Sequence, residues 1–76
     1  MMKKIIDNLL YDTETSKLIH NDEINKRLWY RTPNGNYFCF FKNGEIVPKT
    51  EDAVKDYLGK NDVDKYIELF GEPQEA

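Results

Sequence analysis

Few side chains in this sequence could do covalent chemistry. There is one cysteine, Cys39, and one histidine, His20. A Cys–His pair is a familiar nucleophile, because a neighbouring imidazolium stabilises the thiolate. Cys39, however, lies within the aromatic run Tyr37-Phe38-Cys39-Phe40-Phe41, where a buried structural thiol is the common outcome. His20 reads as a polar residue at the end of an element rather than a ligand or a base. Asp and Glu number 14, so many carboxylate pairs can be chosen and none is singled out. Asn61-Asp62-Val63-Asp64 has two oxygens at calcium-loop spacing, but it lacks the glycine and the distal bidentate Glu at the required offsets. A helix cap explains it better. No glycine-rich phosphate loop and no Cys/His cluster for zinc is present. The expectation is a non-enzymatic protein with no catalytic residues, no metal and no cofactor.

Two sets of residues could instead form a binding surface. Trp29, Arg31, Phe38 and Phe40 would form an aromatic patch if one sheet face is left partly bare. Trp, Tyr and Arg dominate interface hot spots, since they combine large buried area with a polar handle. Lys26, Arg27 and Lys42 would rim it. The same aromatics could stack single-stranded RNA bases, or they could simply be core. Glu51, Asp52, Asp56, Asp62, Asp64 and Glu68 form the second set. Carboxylates spread along helices can oppose a basic groove by charge complementarity.

These residues must be positioned by short elements. Ile5-Ile6 and Leu9-Leu10-Tyr11 flank Asp7-Asn8, two residues that tolerate positive φ, so a tight hairpin is predicted. Asp12 or Thr13, followed by Glu14, resembles a helix N-cap, with Leu18 and Ile19 as the apolar side of a short helix ending near His20-Asn21. Leu28–Thr32, Tyr37–Phe41 and Glu45–Val47 read as a three-stranded meander, with Asn34-Gly35 and Asn43-Gly44 as turns. Pro48 ends its last strand. If Asn34 and Gly35 form a two-residue loop, Thr32 pairs with Tyr37 and Tyr30 with Cys39. One face then carries Leu28, Tyr30, Tyr37, Cys39, Phe41 and Ile46, and the other Trp29, Arg31, Phe38, Phe40 and Val47. A slip of one residue exchanges partners and still leaves two aromatic faces. Thr50 caps a helix with an Ala53, Val54, Tyr57, Leu58 stripe and Gly59 just past its end. Asn61 caps a second helix with Val63, Tyr66, Ile67 and Phe70 in register, stopped by Gly71 and Pro73. The predicted class is α+β, an N-terminal hairpin plus a three-stranded antiparallel meander with a short helix and two C-terminal helices, in the order ββαβββαα. Residues 1–76 form one domain, with 73–76 a frayed tail.

Composition restricts the partners. Residues 1–49 carry eight Lys/Arg and six Asp/Glu, while residues 50–76 carry three and eight, so the C-terminal helices hold the acidity. Nucleic-acid binders concentrate Lys and Arg, so direct nucleic-acid binding is not expected. No apolar run approaches the roughly 20 residues of a membrane span. Asp7 and Asn8 interrupt the N-terminal apolar stretch before a signal-peptide core forms. A cytoplasmic location is the expectation.

Tyr11-Asp12-Thr13-Glu14-Thr15 resembles the opening of a group of small uncharacterised proteins carried by phages and mobile elements of Gram-positive bacteria. Further matches are Tyr30-Arg31-Thr32 with Gly35-Asn36-Tyr37-Phe38, Ile46-Val47-Pro48 with Thr50-Glu51, and Glu68-Leu69-Phe70-Gly71-Glu72. The similarity spans most of the chain. Its middle is shorter, with the glycine-rich stretch expected after the Tyr-Phe strand reduced to Asn43-Gly44. No functional residue transfers, because the group has no assigned activity. The resemblance implies a setting in which small acidic proteins antagonise host defence, as anti-CRISPR proteins do. The expected role is therefore binding and inhibition of a host protein in a bacterial cytoplasm, a CRISPR-associated nuclease above all. The alternative is a small regulatory or structural interaction module, with a homodimer through the aromatic face as one form.

Overall fold

The computed structural model describes residues 2–76. The class is α+β with six strands followed by two helices: β1 (Lys3–Ile6), β2 (Leu9–Asp12), β3 (Lys17–Asp22), β4 (Arg27–Arg31), β5 (Tyr37–Phe41), β6 (Ile46–Lys49), α1 (Glu51–Asn61) and α2 (Val63–Phe70). β1 and β2 form a separate two-stranded ribbon, and β3-β4-β5-β6 form a four-stranded antiparallel meander. The ribbon turns through Asp7 and Asn8, both at positive φ (51° and 66°), as a two-residue hairpin requires.

The short helix predicted after Thr13 is a strand. Its apparent cap is a turn: Asp12 Oδ1 accepts the Glu14 N–H at 2.9 Å, and the Ser16 N–H donates to the Asp12 carbonyl. Asp side chains serve such turns and helix caps by the same local hydrogen bond. In β3 the pairing with β4 shifts between Leu18 and His20. This bulge disturbs the alternation expected of a strand, and Ile19 is buried while Leu18 is exposed.

The register within the meander also differs from the two-residue-loop expectation. Arg31 pairs with Tyr37, Tyr30 with Phe38 and Trp29 with Cys39. Thr32 closes the loop, accepting the Gly35 N–H at 2.9 Å and donating its own N–H to Asn36 at 2.8 Å. Only Gly35 is left-handed, at φ 86°. Pro33 decides this geometry. Its fixed φ suits the second position of a type I turn, and it has no N–H to close a two-residue loop. The Phe41–Glu45 turn repeats the pattern around Gly44. β4 keeps its predicted sides and β5 exchanges them, so Trp29 shares a face with Tyr37 and Cys39, while Phe38 and Phe40 share the other with Tyr30.

Each face has its own core. On one, Ile19, Trp29, Tyr37 and Cys39 pack with Val54 and Leu58 of α1, and Tyr66, Leu69 and Phe70 of α2 close over them. On the other, the ribbon lays Tyr11 and Ile6 against Phe38, Ile46, Tyr30 and Phe40. Thr50 caps α1, its Oγ1 accepting the Ala53 N–H at 3.1 Å. Gly59 is not past the end of α1 but inside it, where a side chain would meet Tyr66. The cap of α2 is Asp62 rather than Asn61: its Oδ1 accepts the Lys65 N–H at 3.1 Å. Val63 is exposed, so the packed side of α2 is Tyr66, Leu69 and Phe70.

Candidate partner-binding surfaces

The aromatic set does not form one surface. Trp29 and Arg31 lie on the helix side of the sheet, Phe38 and Phe40 on the ribbon side. Trp29 is 2% exposed and Phe38 is fully buried. Arg31 is exposed and Phe40 half-buried. Trp29 stacks on Tyr57 with ring centroids 4.6 Å apart, and the Arg27 guanidinium lies 4.7 Å from its ring. Its indole N–H meets no acceptor among the described residues. Trp29 therefore serves this fold as packing area, not as a polar handle for a partner.

Arg27 belongs to a buried polar network that sequence reasoning missed. Asp22 is 3% exposed, and its Oδ2 accepts from Arg27 Nε at 2.7 Å and from Asn25 Nδ2 at 2.9 Å. Burial alone would raise the Asp22 carboxyl, but Arg27 and Asn25 hold it well below the ordinary carboxylate range. Burial, with the Asp22 carboxylate beside it, pushes the Tyr57 hydroxyl up to about 12. The signal for this network is pairing across the β3–β4 turn, where Asp22 faces Arg27. It was hidden while β3 was read as a helix.

Cys39 and His20 are each committed elsewhere. Burial pushes the fully buried Cys39 thiol up to about 11, so it carries almost no thiolate at neutral pH. His20 Nδ1 lies 2.9 Å from Asp62 Oδ2. This bond lowers the Asp62 carboxyl, helped by the Lys65 backbone N–H and opposed by burial. Among the described residues no group of three or more His, Cys, Asp or Glu is placed to hold a metal ion, and no helix is long and apolar enough to cross a membrane.

The acidic set is arranged differently from the aromatic one. Glu51, Asp52, Asp56, Asp64 and Glu68 are exposed; Asp62 is the partly buried cap bonded to His20. Asp52 and Asp56 stand one turn apart on α1, Asp64 and Glu68 one turn apart on α2. Glu51, Asp56 and Glu68 are each ion-paired, with Lys55 at 3.6 Å, Lys60 at 3.3 Å and Lys65 at 3.0 Å, and Lys55 also lies 5.1 Å from the Phe70 ring. Asp52 and Asp64 have no basic partner among the described residues, and residues 51–70 carry six carboxylates against three lysines, so the helical layer is net negative.

No protein-family model, curated protein or solved structure matches the chain.

Proposed function

We propose that this domain is a non-catalytic binding module that presents its helical layer to a basic surface of a protein partner. The observation that carries the reading is the contrast between the two sets of residues. Trp29 and Phe38 are consumed by the cores and Phe40 is half-buried, while five carboxylates stand exposed on two short helices fixed to the sheet. Rigid carriage matters, because a preorganised charge array loses little conformational freedom on docking. A groove built for nucleic acid is the natural complement, and occupying it excludes its normal ligand. The resemblance to mobile-element proteins supports a host nuclease of the CRISPR-associated kind as the partner, with inhibition as the consequence.

The test is DNA cleavage by purified CRISPR-associated nucleases of Gram-positive bacteria, with and without this protein, at low and high salt. Wild type should block cleavage by at least one enzyme, more weakly as salt rises. Asp52→Lys/Asp64→Lys should lose the block, while Arg31→Ala should keep it. Wild type without effect on any enzyme, or a charge-reversed variant that still inhibits fully, would sink the reading.

A further inference from the structure

A cavity of about 260 Å³ opens beside the β3–β4 loop, floored by Leu28 and Phe40 and bordered by Asn21, Glu23, Lys26 and Lys42. This lies below the roughly 300 Å³ at which sites for drug-sized ligands begin, which leaves room for a side chain of a docked surface. Lys26, Lys42 and Glu23 have no oppositely charged partner among the described residues, whereas the neighbouring Asp22 and Arg27 neutralise each other. The open border is therefore net basic, on a chain whose net charge is −3.

Next to this cavity the same loop holds Ile24 out in water, 91% exposed. The loop is fixed rather than slack. Asp22 Oδ1 accepts the Asn25 N–H at 3.2 Å and Asp22 Oδ2 the Asn25 side-chain amide at 2.9 Å. Lys26 adopts φ 57°, and its carbonyl accepts the Lys42 N–H at 3.1 Å. The Ile24 side chain buries almost nothing within its own chain, and its apolar area would leave water only against another molecule.

We infer that the cavity receives Ile24 of a second copy of this chain in a twofold-symmetric dimer. Ile24 covers the Leu28–Phe40 floor, and Glu23 beside it meets Lys26 and Lys42 of the other copy. Insert and socket sit at the same end of the molecule, so each contact is made twice and the assembly closes. The same pair on opposite ends would propagate as a filament. A loop exchange of this kind covers less than the roughly 1,200 Å² of stable complexes, so the dimer is weak and forms at high concentration. It leaves the acidic helical layer free, and would display that layer twice.

Sedimentation of the full chain from about 10 μM to about 1 mM, the range over which a weak complex fills, tests the inference. Wild type should shift from monomer towards dimer mass. Ile24→Asp, Glu23→Lys and Lys26→Glu/Lys42→Glu should each remain monomeric with unchanged circular dichroism, because all four positions are exposed. Mixing the Glu23→Lys chain with the Lys26→Glu/Lys42→Glu chain should restore dimer, since every pair across the axis is then of opposite sign. A wild-type monomer at all concentrations overturns the inference. So does a dimer that Ile24→Asp leaves intact, which would place self-association elsewhere, as on the outer side of the ribbon. Failure of the charge-swapped mixture to associate overturns the assignment of Glu23 to the lysines.

Discussion

The two faces of the four-stranded sheet are built from similar residues and finished differently. The helix side has the deeper core: Trp29, Cys39, Val54 and Leu58 are at most 2% exposed, Phe41 is half-covered at its edge, and a hydrogen-bonded Asp22–Arg27 pair lies at its margin. On the ribbon side Tyr11, Phe38 and Ile46 are buried, but Leu28, Tyr30 and Phe40 stay half-covered. Two helices continue directly from β6 and can cover a face along its length. A four-residue-strand ribbon cannot, and the surface it leaves includes the cavity over Leu28 and Phe40. Aromatic content alone therefore does not reveal which residues a partner can reach; the size of the covering element decides it.

The helix side should give the largest effect. Asp22→Ala leaves Arg27 half-buried beside Trp29 and Tyr57 without its carboxylate. Breaking a buried pair from one side costs about 3–5 kcal/mol, against a total of about 4–11 kcal/mol for a domain of this length. Urea unfolding should show the midpoint fall by about a quarter or more. A change under about 1 kcal/mol would mean the pair is far more hydrated than its burial indicates.

Tyr11→Ala addresses the other side. Tyr11 meets Phe38 edge-on at 5.5 Å and holds the ribbon to the sheet. Aromatic truncations in cores cost about 3–5 kcal/mol, but an isolated two-stranded hairpin is only marginally stable. The loss should therefore be local. Amide exchange should quicken across Lys3–Asp12 while β3 to β6 keep their protection. Uniform loss of protection would show that the two faces fold as one unit, breaking the contrast between them.

The pair also predicts a pH dependence. The folded Asp22 carboxyl is depressed, so its contribution is fully present above the unfolded carboxyl pKa of about 4 and is lost as pH falls below that value towards the folded one. Melting temperature should decline below about pH 4, and Asp22→Asn should flatten part of that decline. An identical slope in both proteins would assign acid sensitivity to other carboxylates.

How much of this was legible in the sequence follows from where local signals agree with tertiary ones. The β1–β2 ribbon, the β4–β6 meander and the Thr50 cap each have turn or cap residues whose local demands match the fold. β3 does not: the Asp12 turn uses cap chemistry, and the bulge at Ile19 disrupts strand alternation. The register was one residue off because Asn34-Gly35 is a strong two-residue turn signal, and Pro33 just before it changes which turn forms. Of the site, the exposed carboxylates were readable, since charged residues on helix surfaces rarely bury. The aromatic patch was not, because its sides depend on register and its exposure on what covers each face. The Ile24 loop is not visible when the segment ending near His20-Asn21 is read as a helix, because the loop exists only as the β3–β4 turn.

The smallest effects separate backbone from surface. At Gly35 an added methyl would stand 3.4 Å from the flexible end of Arg31, so the side chain is accommodated and the left-handed backbone is not. Gly35→Ala should cost about 1–2 kcal/mol, and the same change at the interior helical Gly59 should be neutral or stabilising, since helices favour Ala over Gly by about 1 kcal/mol and its nearest neighbour, Tyr66, is 3.9 Å away. Below both lies Ile5→Ser on the ribbon's outer side, where Ile5 is 71% exposed. Its cost should fall within about 0.5 kcal/mol. A larger cost, measured as a shift in thermal midpoint that grows with protein concentration, would reveal that Ile5 is covered by association. The ribbon face, rather than the Ile24 loop, would then be the surface on which this chain meets another.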